Sequence, residues 1–342
     1  MTAAAQLDLD AVAAWMAAHV PGFAGPLTAE KFATGQSNPT FRLTAASGAY
    51  VLRRKPPGTL LKSAHAVDRE FRVQAALAGS AVPVARMFAL CEDEAVIGTA
   101  FYVMAHVDGR SFVDPRLPDL SAQDRAHVFD EMNRVLAAIH SVDIDAAGLS
   151  DFGPEGNYYA RQIDRWTRQY RASETGNIPA MEELIDWLAG TQPADDGRRT
   201  LVHGDYRLDN LLFARGRPDC VAVLDWELST LGHPFADLAA TLMQWRLPPG
   251  DEGRGLDGVD RAAFGLPSDA AFVEAYCART GLPGIERMGF YLAFAFFRMA
   301  AILQGVKRRA LDGNASNPER GLAMGALVPR FAELGLQAAR DG

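Results

Sequence analysis

Several side chains that could do chemistry lie close together in the stretch HGDYRLDN, residues 203–210. Asp205 follows a glycine, and Asn210 is five residues further on, next to the apolar run LLF. A second apolar run, VAVL, ends at Asp225. A cluster of Asp, Asn and Gly is often only a polar turn between strands. The same residue types could instead form a metal-binding loop, since carboxylate and amide oxygens are the ligands that hard cations prefer.

Transfer of a phosphoryl group from ATP needs this set of side chains. The protein must hold Mg²⁺ on the phosphates and orient the acceptor hydroxyl, for which a carboxylate within hydrogen-bond reach is suited. A strand–turn–strand hairpin over 211–225 would bring Asn210 and Asp225 to one end, with Asp205 above them. This spacing matches the order of a catalytic Asp, a metal-binding Asn and a metal-binding Asp in kinases.

The first hundred residues contain features that suit a nucleotide. The small-residue turn GQSNP begins at Gly35, and its backbone N–H groups and Ser37 could cover phosphates. The segment MAHVDG, 104–109, falls where a hinge would lie. We expect adenine to bond to backbone groups near Ala105 and Val107.

A cation and a glutamate complete the nucleotide-binding pattern. Arg53 ends the strand-like run VLR, and Glu70 lies in a segment with helical spacing at 65–79. A strand cation paired with a helix glutamate is a hallmark of kinases. Arg54 and Lys55 are adjacent alternatives, but strand alternation puts Arg54 on the opposite face. The expected cation is Arg53, although Lys and Arg are not interchangeable at phosphate sites.

The order of elements predicts an α+β fold with two lobes. Helical spacing is expected at 7–20, and residues 28–105 are mainly strand-like around the helix at 65–79. The chain is then mostly helical, except for short strands in 200–226. We therefore expect a small, mainly antiparallel β lobe at 1–105 and a larger helical lobe at 106–342. The helical candidates after residue 106 are 121–141, 157–173, 179–190, 234–246, 268–280, 285–311 and 316–340.

From about Thr28 to the last helices, these motifs resemble the aminoglycoside phosphotransferase, or kinase-like phosphotransferase, family. The resemblance implies a bilobal protein-kinase-like fold and an enzyme that uses ATP and Mg²⁺. It implies that Asp205 is the catalytic base or orients the acceptor, and that Asn210 and Asp225 bind Mg²⁺. It also places Arg53 where the family has a lysine that contacts the α- and β-phosphates, and Glu70 where that lysine has its partner.

Within the family, four segments look like one branch in particular: GQSNPTF, YVLRRKPPG, HGDYRLDN and LDWELSTLGHPFADLA. That branch includes the kinase-like domain fused to some acyl-CoA dehydrogenases, and bacterial kinases that act on 4-hydroxyacyl-CoA esters. The resemblance therefore implies a small-molecule hydroxyl acceptor and a functional partnership with an acyl-CoA dehydrogenase.

Basic residues of the last third bear on the acceptor. Arg298 is expected to face the cleft, with Lys307, Arg308 and Arg309 near the end of the same helix, and Arg207 lies within the catalytic loop. A cationic cluster suits an anionic hydroxy acid or hydroxyacyl-CoA, whereas an aminoglycoside would need carboxylates. The arginines at the helix end could equally complement its dipole.

Other interpretations stay open. An aminoglycoside kinase, another small-alcohol kinase and a nucleotide-binding pseudokinase would share the motifs. A metal-dependent hydrolase would explain the Asp and Asn residues but not the hinge or the strand cation. His203 and Asp237 are expected to support the catalytic loop, with Asp237 in the first turn of a helix.

The composition excludes some other classes. The formal net charge of −8 argues against a nucleic-acid partner. Three distant cysteines indicate neither a disulfide framework nor a zinc site. No Lys or Arg precedes Lys31, so no secretory signal is expected, and the protein is expected to be cytoplasmic. The apolar segment 288–306 contains Arg298 and Gln304, which favours a buried core helix over a membrane span. The GRGLDG motif lies in a loop, which excludes a dinucleotide site.

Overall fold

The computed structural model describes residues 7–32, 38–56, 66–250, 254–315 and 317–341. The chain divides into two compact units. Unit 1 comprises residues 1–112, 143–149 and 208–229, and unit 2 comprises residues 113–142, 150–207 and 230–342. The two-lobe boundary at 105/106 remains a prediction.

Unit 1 contains a five-stranded antiparallel sheet with the order β1-β2-β3-β5-β4. Two helices accompany it, and the second follows the third strand, as the sequence predicts. The elements are α1 (Leu9–His19), β1 (Thr28–Lys31), β2 (Thr40–Ala45), β3 (Gly48–Arg54), α2 (Val67–Ala76), β4 (Met87–Cys91) and β5 (Phe101–Ala105).

The two faces of this sheet carry different side chains, because successive residues of a strand point to opposite sides. One face forms an apolar core with α1, in which Phe41, Leu52 and Phe101 are buried. On the other face Tyr102 packs in a second buried cluster with Val67 of α2. Arg53 pairs with Tyr102 across β3 and β5, so both side chains project toward the face that contains α2.

A short hairpin completes unit 1. Its strands are β7 (Leu211–Phe213) and β8 (Cys220–Val223), with Leu211 opposite Val223. The amide of Val223 donates to the carbonyl of Pro83, and Phe213 forms a bridge with Arg110. These backbone bonds fix the hairpin to the rest of the unit.

Unit 2 is mostly helical. The buried helix α9 packs against several of the other helices and provides most of their shared core. The elements are α3 (Ala122–His140), α4 (Tyr158–Ser173), α5 (Pro179–Gly190), β6 (Thr200–Val202), β9 (Thr230–Gly232), α6 (Phe235–Trp245), α7 (Arg261–Phe264), α8 (Asp269–Thr280), α9 (Met288–Leu311), α10 (Pro318–Gly325) and α11 (Val328–Asp341). Strands β6 and β9 pair antiparallel.

By length and composition α9 could cross a membrane, and it is the one helix among the described residues of which this is true. Within its apolar window, 72% of the residues are buried inside the structure. That degree of burial matches the core helix expected from the sequence.

The prediction of a single helix at 316–340 is wrong, because α10 ends at Gly325 and α11 begins at Val328. A Cβ atom on Gly325 would lie 2.4 Å from Cβ of Lys307, so glycine permits the close approach of α10 to α9. The amide of Leu327 then bonds to the carbonyl of Met324, three residues back, which closes the turn.

Candidate functional site

A single guanidinium in unit 1 contacts three carboxylates. Arg53 Nε and Nη2 lie 2.9 Å from the two carboxylate oxygens of Glu70. Arg53 Nη2 also donates to Asp225 Oδ1 at 2.7 Å and lies 3.5 Å from Glu227 Oε2. Of the contacts with Glu70, the one from Nη2 is a hydrogen bond, and the one from Nε is an ion pair. The structure therefore brings together Arg53, Glu70 and Asp225, three of the residues singled out from the sequence.

Local structure explains why these side chains meet. Arg53 and Tyr102 are cross-strand neighbours, and Glu70 lies in the first turn of α2, above the same face. The hydroxyl of Tyr102 donates to Glu70 Oε2 at 3.0 Å. Glu70 is thus held by a cation on one strand and a phenol on the next.

Burial and charge shift the ionisation of this group. Burial raises the pKa of Glu70 to about 7, although the neighbouring Arg53 lowers it and Asp225 adds a further rise. Burial alone would lower the pKa of Arg53, but its attraction to Glu70 and the other acidic neighbours outweighs burial and raises it. Arg53 is therefore charged at neutral pH.

Asp225 has a strained backbone. Its φ of 62° and ψ of 60° lie in the left-handed region, which is uncommon for residues other than glycine. Such strain is concentrated at functional sites. The conformation begins the 3₁₀ turn Trp226–Leu228 directly after β8.

The hairpin brings Asn210 and Asp225 to the same end, as expected. Asn210 is buried at the end of the 3₁₀ turn Leu208–Asn210, just before β7. Its carbonyl accepts a hydrogen bond from the amide of Leu224, one residue before Asp225. The hairpin register therefore sets the relative positions of the two residues.

Glu227 also belongs to this cluster, and the sequence interpretation missed it. Oxygens of Glu70, Asp225 and Glu227 all lie within 4.8 Å of one another. Asn38 Nδ2 donates to Glu227 Oε2 at 3.4 Å. The available signal was a second acid two residues after Asp225, in the short 3₁₀ turn that follows it. A set of oxygen donors with excess negative charge fits Mg²⁺.

In unit 2 one buried carboxylate accepts hydrogen bonds from the backbone of the loop that contains Asp205. Asp237, in the first turn of α6, accepts hydrogen bonds from the amides of His203 at 2.6 Å and Gly204 at 2.9 Å. Gly204 has a φ of 84°, which glycine adopts without strain. The amide of Asp205 donates to His203 Nδ1 at 3.3 Å. Asp237 and His203 thus have the supporting positions expected of them.

The charge of Asp237 is stabilised within the core. His140 Nε2 lies 3.4 Å from Asp237 Oδ2, and His140 Nδ1 is 2.8 Å from the hydroxyl of Tyr276. Burial alone would raise the pKa of Asp237, but the interactions with His140 and His203 outweigh it and lower the pKa. The carboxylate of Asp237 is therefore ionised at neutral pH.

The two arginines proposed from the sequence as acceptor contacts both lie at this loop. Arg298 Nη2 donates to the carbonyl of Gly204 at 3.1 Å. Arg207 Nε lies 3.4 Å from Asp205 Oδ1, and both side chains are about one-third exposed. Arg298 therefore contacts the backbone beside Asp205, a contact that helical spacing could not reveal.

The remaining nucleotide-site predictions have different outcomes. Gly35 and Ser37 lie outside the described residues. The amide of Ala105 donates to the carbonyl of Arg86. The contacts of adenine with backbone groups near Ala105 and Val107 stay predictions. The alternative cation Lys55 pairs with Asp68 at 3.8 Å and does not share the contacts of Arg53.

The other alternative, Arg54, is buried with its guanidinium 5.4 Å from the ring centroid of Phe41. Phe41 belongs to the core that includes α1, so Arg54 lies on the face of β3 opposite to Arg53, as strand alternation requires.

A comparison with known proteins identifies the family. A model described as the phosphotransferase enzyme family, APH, matches residues 28–291. The chain belongs to this family. A crystal structure from Ralstonia eutropha JMP134, provisionally named an aminoglycoside phosphotransferase, is 50% identical, with a TM-score of 0.91. The match covers 98% of this chain and 99% of that one. The chain is thus a member of a family of phosphotransferases.

The curated relatives of this phosphotransferase are longer proteins. Acyl-CoA dehydrogenase family member 10 of Mus musculus is 48% identical over 311 residues, which are 91% of this chain and 29% of that protein. Family member 11 of the same species is 42% identical over 345 residues, with 98% of this chain and 44% of that protein covered. The chain spans less than half the length of either relative.

More distant solved structures share the fold. Aminoglycoside phosphotransferase APH(4)-Ia, in a ternary complex with ADP and hygromycin B, is 18% identical with a TM-score of 0.60. The match covers 91% of this chain and 94% of that one. The kinase-like α+β fold expected from the sequence is therefore confirmed.

Proposed function

We propose that this phosphotransferase moves the γ-phosphoryl group of ATP, with Mg²⁺, to a hydroxyl of a small anionic molecule. The acceptor would be a hydroxy acid or a hydroxyacyl-CoA ester. The observation that carries the nucleotide half of the proposal is the convergence of Glu70, Asp225 and Glu227 on Arg53 in unit 1. An Arg between carboxylates is placed to exchange one of them for a phosphate oxygen.

The metal half of the proposal rests on the donor set. Asn210 and Asp225 would hold Mg²⁺, and Glu227 supplies a further carboxylate close to Asp225. When bound, the cation supplies neutralisation of phosphate charge. Arg53 would then orient the phosphates, and Glu70 fixes its guanidinium through contacts with Nε and Nη2.

In unit 2, Asp205 would accept a hydrogen bond from the acceptor hydroxyl and aim its oxygen at the phosphorus. Most of the rate enhancement would come from this positioning and from electrostatic stabilisation. The hydrogen bonds from His203 and Gly204 to Asp237 keep the backbone of the loop fixed while Asp205 remains about one-third exposed.

The charge of the acceptor is argued from the arginines beside Asp205. Arg207 and Arg298 both lie at the catalytic loop of unit 2, where a polycationic acceptor would be repelled. The curated relatives are named acyl-CoA dehydrogenases, and this name gives acyl-CoA esters as their substrates. Both points favour an anionic acceptor and a functional link to an acyl-CoA dehydrogenase. A cytoplasmic location is part of the same proposal.

Product analysis tests the proposal. The purified protein would be incubated with Mg-ATP and a 4-hydroxyacyl-CoA ester, and the products followed by ³¹P NMR. The proposal predicts ADP and a new phosphate monoester on the hydroxyl carbon. Release of inorganic phosphate without any monoester would show a hydrolase and contradict it.

A further inference from the structure

Two arginines share one indole ring beside the catalytic loop of unit 2. The guanidinium carbon of Arg165, on α4, lies 5.4 Å from the ring centroid of Trp166. That of Arg298, on α9, lies 5.7 Å from the same centroid. Because Arg298 also donates to the carbonyl of Gly204, the pair of cations adjoins the residue before Asp205.

Neither of these two cations is in an ion pair within the described part of the chain, where no carboxylate lies within 4.0 Å of Arg165 or Arg298. Other arginines of α4 are in ion pairs: Arg168 pairs with Asp164 at 2.7 Å, and Arg171 pairs with Glu174 at 2.7 Å. Arg165 is exposed and Arg298 is half-buried, so an anion from solution can approach this ring and be attracted by both charges.

A phenol lies near the same arginines. The Tyr158 ring covers β9, since a Cβ atom on Gly232 would lie 2.6 Å from Tyr158 Cε2. Burial raises the pKa of the Tyr158 hydroxyl; the charge of Arg298 opposes that rise, Asp237 adds to it, and Arg161 and Arg165 oppose it further. Three guanidiniums and one carboxylate are thus within electrostatic reach of this phenol.

We propose that Arg165, Arg298 and Trp166 form the subsite that binds the anionic group of the acceptor, a carboxylate or a phosphate. This inference rests on the proposed function and names the residues that would select its substrate. Guanidiniums bind both groups with paired, charge-assisted hydrogen bonds. The indole holds the two guanidiniums in place, and Arg298 links the subsite to the loop that carries Asp205.

A binding experiment without ATP tests the subsite separately from catalysis. Isothermal calorimetry would compare coenzyme A and 4-hydroxyvalerate as probes of the phosphate and carboxylate groups. The test variant is Arg165→Gln. The matched control is Arg168→Gln, which removes the same charge three residues along α4, where the side chain is 74% exposed and paired with Asp164.

The proposal predicts that Arg165→Gln weakens one or both probes by about tenfold, while Arg168→Gln changes neither by more than about twofold. Loss confined to coenzyme A assigns the subsite to phosphate, and loss confined to 4-hydroxyvalerate assigns it to carboxylate. Equal weakening by both variants, no weakening by either, or no binding of either probe to the wild-type protein would overturn the proposal.

Steady-state kinetics separate a binding role from a structural one. For Arg165→Gln we expect KM for the anionic acceptor to rise about tenfold with kcat within about twofold, and Arg165→Lys to recover part of the loss. For the uncharged methyl ester of 4-hydroxyvalerate, KM should be the same in the wild-type protein and in the variant. A fall in kcat with unchanged KM would contradict a subsite. Absence of turnover with intact probe binding would refute the proposed function and leave the subsite standing.

Discussion

Arg53 Nη2 lies 2.7 Å from Asp225 Oδ1, so a strand cation contacts a carboxylate two residues beyond the end of β8. Glu70 contacts Nε of the same guanidinium and shares Nη2 with Asp225. The contact joins the proposed phosphate-binding residue directly to the proposed metal ligand. Loss of either partner should therefore affect both phosphate and metal binding, which gives the first two predictions.

Replacement of Arg53 should weaken nucleotide binding. Arg53→Gln leaves Glu70 buried without its cation, and we expect ATP affinity to fall at least about tenfold, with a loss of stability of about 3 kcal/mol. Calorimetry and urea unfolding would measure the two effects. Lys55→Gln is the control, since Lys55 lies two residues along and pairs with Asp68 instead. If the two variants bind ATP equally well, Arg53 does not contact the phosphates.

The acidic pair after β8 should govern the magnesium dependence of nucleotide binding. For Asp225→Ala we expect the affinity for ATP to become the same with and without Mg²⁺. For Glu227→Gln we expect a smaller fall of about tenfold, seen only with Mg²⁺ present. Titrations of each variant at several Mg²⁺ concentrations would measure this. An unchanged magnesium dependence in Asp225→Ala would show that the cation binds elsewhere.

Asp205 should matter for turnover but not for nucleotide affinity. Asp205→Asn keeps the shape of the side chain but removes the carboxylate that orients the hydroxyl, so we expect kcat to fall by about 10²–10⁴. ATP affinity should stay within about twofold of wild type. A wild-type rate in this variant would exclude Asp205 from the reaction.

The acid stability of the protein should depend on Asp237. Its folded-state pKa is lowered, so its stabilising contribution is present above the unfolded value of about 3.9 and is lost as pH falls through the folded value. We expect Asp237→Asn to be less stable by about 2–3 kcal/mol at pH 7, with the difference shrinking below about pH 4. Urea midpoints between pH 3 and pH 7 would measure it. A difference that is constant with pH would contradict the assignment.

Strand alternation and hairpin register were readable from the sequence because they depend on neighbouring residues. They were sufficient to predict that Arg53, and not Arg54, faces Glu70, and that Asn210 and Asp225 share one end of a hairpin. The helix start at His233-Pro234 similarly placed Asp237 in a first turn, where its carboxylate could reach a loop.

Features that depend on backbone geometry, or on packing between residues distant in the chain, could not be predicted from the sequence. The role of Glu227 follows from the left-handed conformation of Asp225, which no periodicity signals. The close approach of α10 to α9 depends on Gly325 meeting Lys307 of another helix. Arg165 and Arg298 lie far apart in the chain, and only the packing of α4 against α9 brings Arg298 to Trp166, the neighbour of Arg165.

The most direct test of the central claim is acceptor-dependent ATP turnover by the purified protein with Mg²⁺. The panel would contain 4-hydroxyvaleryl-CoA, free 4-hydroxyvalerate, kanamycin, choline and a sugar alcohol, with Asp205→Asn as the control for contaminating kinases. We predict turnover with the CoA ester or the free hydroxy acid and none with the cationic acceptors. Turnover with kanamycin or choline, and none with either anionic acceptor, would contradict the account.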